Sequence, residues 1–406
     1  MKYKSILLST YINTVNGETY ALFGPEQNLL NYFFTRFEEV YMIRQPMPAE
    51  KQLGPSMYYF RFGELIWKKA IPHFFSCIWK TGQSNLSTEK TSKRLKIRDF
   101  LSNFYFVLFC VKYKINLFIG VESINALAGA LLKKIGKIDK VLYFANDYHP
   151  NRYSSAMNWI FLKLDEIMAY SSDYMWMMNP MIHTSRIQRG LDKKKLAPHF
   201  IIHGGLPFFP NGPIPLEKRK KFQIVYATRA GHGGLPLVIQ AFGKVIKNFN
   251  DATLYITGNA YKEESNLLNL IDSCGCAGKI VFTGFLLEKD LNDLVKNSYI
   301  GIAIWPDDIP VSATYGDPEK IRRYFHFGLP VVTTRNAFTA DILKQEGAGI
   351  VVDSNSHDIA RAISDLFFDM SLYFKVAAAS KKLGESYMKK NILDDSINDL
   401  ASKAII

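Results

Sequence analysis

The sequence predicts an α/β protein made of doubly wound parallel sheets, and three observations predict it. From Ile224 onward, short apolar runs alternate with helical stretches, the order that produces parallel strands joined by crossover helices. Glycine-bearing turns stand at the ends of those runs, where an open sheet forms its ligand crevice. The chain has 406 residues, 48% of them hydrophobic. That exceeds one core, which stops growing near roughly 250 to 300 residues, and suits two Rossmann-like halves of about 200 each.

In chain order, the apolar run Ser5–Ile12 is too brief to span a bilayer and lacks a small-residue cleavage site, so it reads as the first strand. Asn16-Gly17-Glu18 follows as a loop. Met57–Lys80 mixes large apolar and aromatic residues with lysines. That composition suits either insertion into an anionic headgroup layer or an ordinary hairpin and buried helix. Phe100–Val121 is apolar enough to suggest a membrane span, but Lys112 and Lys114 break it. Val141–Ala145 is a buried strand, and Asn146 and Asp147 stand at its end, in crevice position. Proline and glycine crowd between His203 and Pro215, and the basic run Lys218–Lys221 follows, which marks a linker. The reading therefore places a first domain at 1–205, a linker at 206–221, a second domain at 222–385 and a C-terminal helix at 386–406.

In the second domain Ile224–Thr228 reads as a strand, Arg229–Gly234 as a glycine turn and Leu235–Asn248 as a helix. Strands at Ala252–Thr257, Ile280–Phe282 and Ile300–Ile304 alternate with further helices, one of them Asp290–Asn297. Asp317-Pro318 reads as an N-cap with proline at the first helical position. The helix runs to Phe327, Gly328 closes it, and Leu329–Thr334 is a buried strand. Lys320 falls in the first turn of this helix, where a cation opposes the dipole. Either it is solvent-exposed, or it serves an anion such as a diphosphate held by the free N–H groups.

These residues resemble a known family. Ala227-Thr228-Arg229 before a glycine turn, Val281-Phe282-Thr283-Gly284, and Asp317 through Val332 are similar to the donor half of GT-B glycosyltransferases of the group 1 kind, including the membrane-associated glucuronosyltransferase of xanthan assembly. Leu117 through Ser123, Val141 through Arg152, Leu164-Asp165 and Ser172-Asp173 look like the acceptor half of relatives. The resemblance implies two Rossmann-like domains facing across a cleft, with the last helix, Ser380–Ile406, crossing back onto the first. It implies transfer of a sugar from a UDP- or GDP-linked donor to a lipid-linked or polysaccharide acceptor.

Carried onto this sequence, the family pattern implies that Arg229, Gly231, Gly233, Gly234, Asp317, Pro318, Glu319 and Lys320 hold the donor diphosphate. The fork of Arg229 and the point charge of Lys320 would neutralise phosphate. Asp147, where group 1 members often have His-Asp, is the candidate acceptor-side base or hydroxyl anchor; the plain alternative is an N-cap or a salt bridge to Arg152. Gly17, Asn146, Glu288, Tyr315 and Arg323 are candidate contacts to donor sugar or acceptor, with a helix-capping role equally open to Glu288. Two departures stand out. The paired glutamates of many retaining members fall at Tyr315 and Arg323, neither acidic, and the lysine of the first glycine turn is missing.

A formal net charge of +13 raises nucleic acid, but no basic stripe with interleaved stacking residues is present, whereas 29 Phe and 22 Tyr suit a membrane surface better. The four cysteines (Cys77, Cys110, Cys274, Cys276) are scattered and read as reduced thiols of a cytoplasmic protein, peripheral at the inner face of the membrane. The histidines lack metal spacing, and the acidic pair Asp307-Asp308 is not in an Asp-x-Asp loop, so no metal or other cofactor is expected. A GT-B nucleotide-sugar epimerase and a non-catalytic GT-B subunit are the alternatives. A Rossmann oxidoreductase is disfavoured, because no Gly-x-Gly-x-x-Gly follows a strand.

Overall fold

The computed structural model describes residues 3–15, 18–21, 24–46, 54–72, 88–146, 148–153, 155–202, 212–228, 234–258, 265–307, 312–389 and 392–406. The chain divides into two units, Met1–Pro207 with Asn391–Ile406, and Phe208–Lys390.

The first unit runs β1 (Tyr3–Val15), β2 (Glu18–Ala21), α1 (Gly24–Arg36), β3 (Phe37–Gln45), β4 (Ser56–Arg61), β5 (Glu64–Ala70), α2 (Thr88–Cys110), β6 (Ile115–Val121), α3 (Ser123–Lys134), β7 (Ile138–Ala145), α4 (Ser155–Ser171), β8 (Tyr174–Met177), α5 (Pro180–Gln188) and β9 (His199–Ile201). Among the described residues its sheet has the order β5-β4-β3-β1-β6-β7-β8-β9, with β2 antiparallel to β1. From β3 through β9 neighbours are parallel. The apolar segments Leu117–Val121 and Val141–Ala145 are buried almost throughout, as parallel strands between helices must be.

At the other edge β3, β4 and β5 are antiparallel. Phe62 and Gly63, with φ of 52° and 83°, form the two-residue turn whose twist suits such a hairpin. Thus Ser56–Ala70 is an edge hairpin, while 73–80 of the basic aromatic stretch lie outside the described residues. Phe100–Val121 divides into the end of α2 and strand β6. No helix among the described residues is long and apolar enough to cross a membrane.

The second unit runs β10 (Gln223–Ala227), α6 (Leu235–Val245), β11 (Thr253–Thr257), α7 (Ser265–Ser273), β12 (Ile280–Gly284), α8 (Glu288–Asn297), β13 (Ile300–Ala303), α9 (Ser312–Tyr315), α10 (Glu319–His326), β14 (Val331–Thr334), α11 (Phe338–Glu346), β15 (Gly349–Val352), α12 (Ser356–Phe368) and α13 (Met370–Lys389). Its parallel sheet has the order β12-β11-β10-β13-β14-β15. Strand alternation sorts the core into two layers. Ile224 and Tyr226 join residues of α6, α7 and α12 on one face, and Val225 and Ala227 join residues of α8, α10 and α11 on the other. Burial of such side chains contributes about 1.5–3 kcal/mol each, so β10 and β13 form a rigid base for the loops at their ends. Each unit is the α/β arrangement around a mainly parallel sheet that the sequence predicts.

The last helix, α14 (Ile392–Ser402), belongs to the first unit, where Asp394 accepts hydrogen bonds from Tyr32 and Arg36 on α1.

One helix start differs from the sequence expectation. Pro318, not Asp317, occupies the N-cap position of α10, and no side chain caps it. The Asp317 carboxylate is instead drawn to Arg322, whose Nε donates to it at 2.7 Å, and both side chains are almost wholly buried.

Candidate functional site

In the second unit the chain winds from β10 toward β11 and β12 on one side, then returns through β13 toward β14 and β15 on the other. The break between β10 and β13 is the topological switch point, and a crevice opens beyond the carboxyl ends of strands at such a break. Lys320 reaches this point. Its ammonium lies 5.1 Å from the ring centroid of Tyr226, near the end of β10, and 5.1 Å from that of Trp305, just after β13. No carboxylate pairs with it among the described residues. The side chain as a whole is half-buried, and burial pushes its pKa down to about 7, the usual response of an ammonium removed from water.

Three contacts place α10 over the strand ends. The Tyr324 hydroxyl accepts the backbone N–H of Ala227 at 2.8 Å and donates to the Ile302 carbonyl at 3.2 Å, tying the helix to both switch-point strands. Its ring lies so close to Gly301 that a Cβ there would meet it at 2.5 Å. Behind the helix, Arg219 donates to the carbonyls of Phe327 and Gly328 at 2.5 and 2.8 Å, a favourable place for a cation at a helix end. Gly234 precedes α6 and passes close over β13: a Cβ on it would fall 2.3 Å from the Ile304 carbonyl oxygen. Trp305 is fixed through its backbone, whose N–H donates to Thr334 Oγ1 at 3.0 Å and whose carbonyl accepts from the same hydroxyl at 2.9 Å.

The other expected site residues divide. Arg323 is buried and donates to Glu288 through both terminal nitrogens at 2.7 and 3.0 Å, and also to Glu319 and Asn292. Burial works against its charge, but the carboxylates of Glu319 and Glu288 raise its pKa above the ordinary arginine value. Glu288 therefore neither caps α8 through its side chain nor stands apart from Arg323. Tyr315 ends α9 and is half-buried. Arg229, Gly231 and Gly233 lie outside the described residues, as do Gly17 and Asp147. Asn146 is buried at the end of β7.

In the first unit the equivalent switch point lies between β1 and β6. There Glu122 has φ 68° and ψ 155°, a conformation that is costly for any residue but glycine and that persists where surroundings over-determine it. Arg152 contacts its carboxylate at 3.5 Å. Tyr11 donates to Asp99 at 3.0 Å and accepts from Lys96 at 2.7 Å; burial, Asp99 and Glu122 together raise its pKa well above normal. Tyr226, Trp305, Tyr324 and Tyr11 do not stand out as site residues in the sequence. Only their positions near strand ends, or facing a glycine, signal them. Among the described residues no group of three or more His, Cys, Asp or Glu is arranged to hold a metal ion.

Comparison with known proteins bears on the second unit and on the fold. Residues 221–369 match the family model of glycosyl transferases group 1. Among solved structures, sucrose-phosphate synthase from Thermosynechococcus elongatus aligns with a TM-score of 0.66 at 11% identity, over 100% of this chain and 99% of that one. HepE from Anabaena, in complex with UDP and glucose, aligns at 0.61 and 13% identity over 98% and 99%. The pneumococcal O-GlcNAc transferase GtfA, in complex with UDP and GlcNAc, aligns at 0.57 and 14% over 86% and 67%. No curated protein sequence matches the chain. Residues 221–369 of the second unit thus match group 1 glycosyl transferases, and the chain shares the fold of these solved structures.

Proposed function

We propose that this chain moves a sugar from a UDP- or GDP-linked donor to a lipid-linked or polysaccharide acceptor of a cell-surface glycan, at the cytoplasmic face of a membrane and without a metal or other cofactor. The observation that carries the reading is the Lys320 ammonium at the β10/β13 switch point, flanked by Tyr226 and Trp305 and paired with no acid among the described residues. A diphosphate supplies the missing counter-charge. The two acidic residues at the same helix start do not oppose it, since Asp317 is engaged by Arg322 and Glu319 by Arg323. Arg229 and the turn Gly231, Gly233 and Gly234 complete the grip, glycine allowing backbone to approach phosphate.

In this reading the acceptor hydroxyl attacks the anomeric carbon while Asp147 takes its proton. The bond to the diphosphate breaks, and its charge passes to groups already fixed by the sheet. The UDP seen in HepE and in GtfA supports the choice of donor class. The lysine-bearing helix ending at Gly328 supports the finer likeness to the membrane-associated transferase of xanthan assembly. Exposed Phe62, Leu65 and Ile66 on the edge hairpin, beside Lys68 and Lys69, support an anionic membrane surface as partner.

A thermal-shift panel of nucleotides and nucleotide sugars tests the reading. A true donor at about 100 times its dissociation constant stabilises by roughly 2.7 kcal/mol. No shift with any member of the panel contradicts it.

A further inference from the structure

We propose that Lys320 takes up a proton as a nucleoside-diphosphate sugar binds, so that donor affinity falls as pH rises through neutrality. The inference rests on the donor reading above and adds a proton to its stoichiometry. The geometry is that of an ammonium without a counter-ion among the described residues. Its two described neighbours are aromatic rings, each 5.1 Å away, which attract a cation only modestly. Its place in the first turn of α10 sets it against the positive end of the helix dipole, which also favours the neutral amine.

The charged groups around it are otherwise engaged. On its own helix, Glu319 is bound to Arg323, and just before it Asp317 is bound to Arg322. After β13, Asp307 accepts from Asn336 Nδ2 at 2.9 Å. From β10 comes the phenol ring of Tyr226, and α9, just before this helix in the chain, ends at Tyr315. Arg229 and His232, on the turn after β10, lie outside the described residues. No charge among the described residues offsets the burial that brings the amine to about pKa 7.

A bound diphosphate reverses this balance, because an opposite charge within reach favours the ammonium. The sign follows from linkage. Below pH 7 the empty site is already protonated and affinity is full; above it, each binding event draws a proton from solvent, and affinity declines about tenfold per pH unit until the pKa of the complex is reached. A sugar-linked diphosphate lacks the terminal phosphate monoester whose second proton titrates near about pH 6, so the pH slope belongs to the protein.

The experiment is calorimetric titration of UDP-glucose, and of GDP-mannose, into the full chain at pH 7 in PIPES and in Tris, repeated from pH 6 to 8.5. Wild type should take up about half a proton per donor at pH 7 and weaken roughly tenfold or more by pH 8.5. Lys320→Arg, whose guanidinium stays charged, should bind with neither proton uptake nor the pH slope. Binding without buffer-dependent heat, or an unchanged slope in Lys320→Arg, overturns this inference alone. Failure of both donors to bind overturns the donor reading and the inference with it.

Discussion

Arg323 holds Glu288 by two parallel hydrogen bonds, 2.7 and 3.0 Å long, that join α10 to α8. The family resemblance implies a glutamate at this position; here the arginine also engages Glu319 and Asn292. The position has become a tie between helices, one that fixes the helix bearing Lys320.

Restoring the acid should therefore fail. Arg323→Glu would set three carboxylates together and leave buried Asn292 without its donor, a cost of about 2–3 kcal/mol on the usual scale for a broken buried network. A melting point lowered by several degrees and no gain in turnover are expected. Unchanged stability with raised turnover would show that the tie is dispensable.

Asp147→Asn keeps size and most hydrogen-bonding capacity while removing the carboxylate. Turnover should fall by about 100-fold or more, the common scale for a general base, while melting temperature and donor affinity stay near wild type. Near-normal turnover would end the assignment, and a collapsed melting temperature would mark a capping role.

Gly234→Ala would put a methyl group against the Ile304 carbonyl, 2.3 Å from where its Cβ must lie. Backbone cannot yield as a flexible side chain does, so the turn should shift at a cost of about 1–3 kcal/mol. Both melting temperature and nucleotide affinity should drop; retention of both would mean that the turn is looser than its contacts indicate.

The edge hairpin exposes Phe62, Leu65 and Ile66 by 58%, 54% and 53%. If it meets anionic lipid, vesicle binding should weaken with salt, and changing Lys68, Lys69 and Lys80 to Gln should cost about 1 kcal/mol per lysine. Equal affinity for neutral and anionic vesicles would remove the membrane from the account.

The second unit is the more legible in sequence. Its strands β10, β13 and β14 are covered on both faces, so they read as short apolar strings bounded by glycine and proline. The edge of the first unit is not legible in this way, since Ser56–Ala70 mixes Arg61, Glu64, Lys68 and Lys69 with aromatics, and its outer strand β5 is exposed along almost all its length. At the candidate site, the place of Lys320 in a first helical turn is visible from Pro318 and Gly328. Its neighbours are not: Tyr226 lies on β10 and Trp305 just after β13, and only the sheet order brings them to it. Asp317 misleads for the same reason. Its pattern is that of a cap, but the tertiary partner Arg322 takes the carboxylate. The strain at Glu122 leaves no trace in composition or spacing.

Titration of a nucleotide sugar into wild type, Lys320→Ala and Arg229→Ala, side by side with their melting temperatures, tests the central claim most directly. The account predicts that each variant folds as wild type does and loses about 1.5–3 kcal/mol of donor affinity, the scale of a hydrogen bond to a charged group. Affinity unchanged in both variants would contradict it.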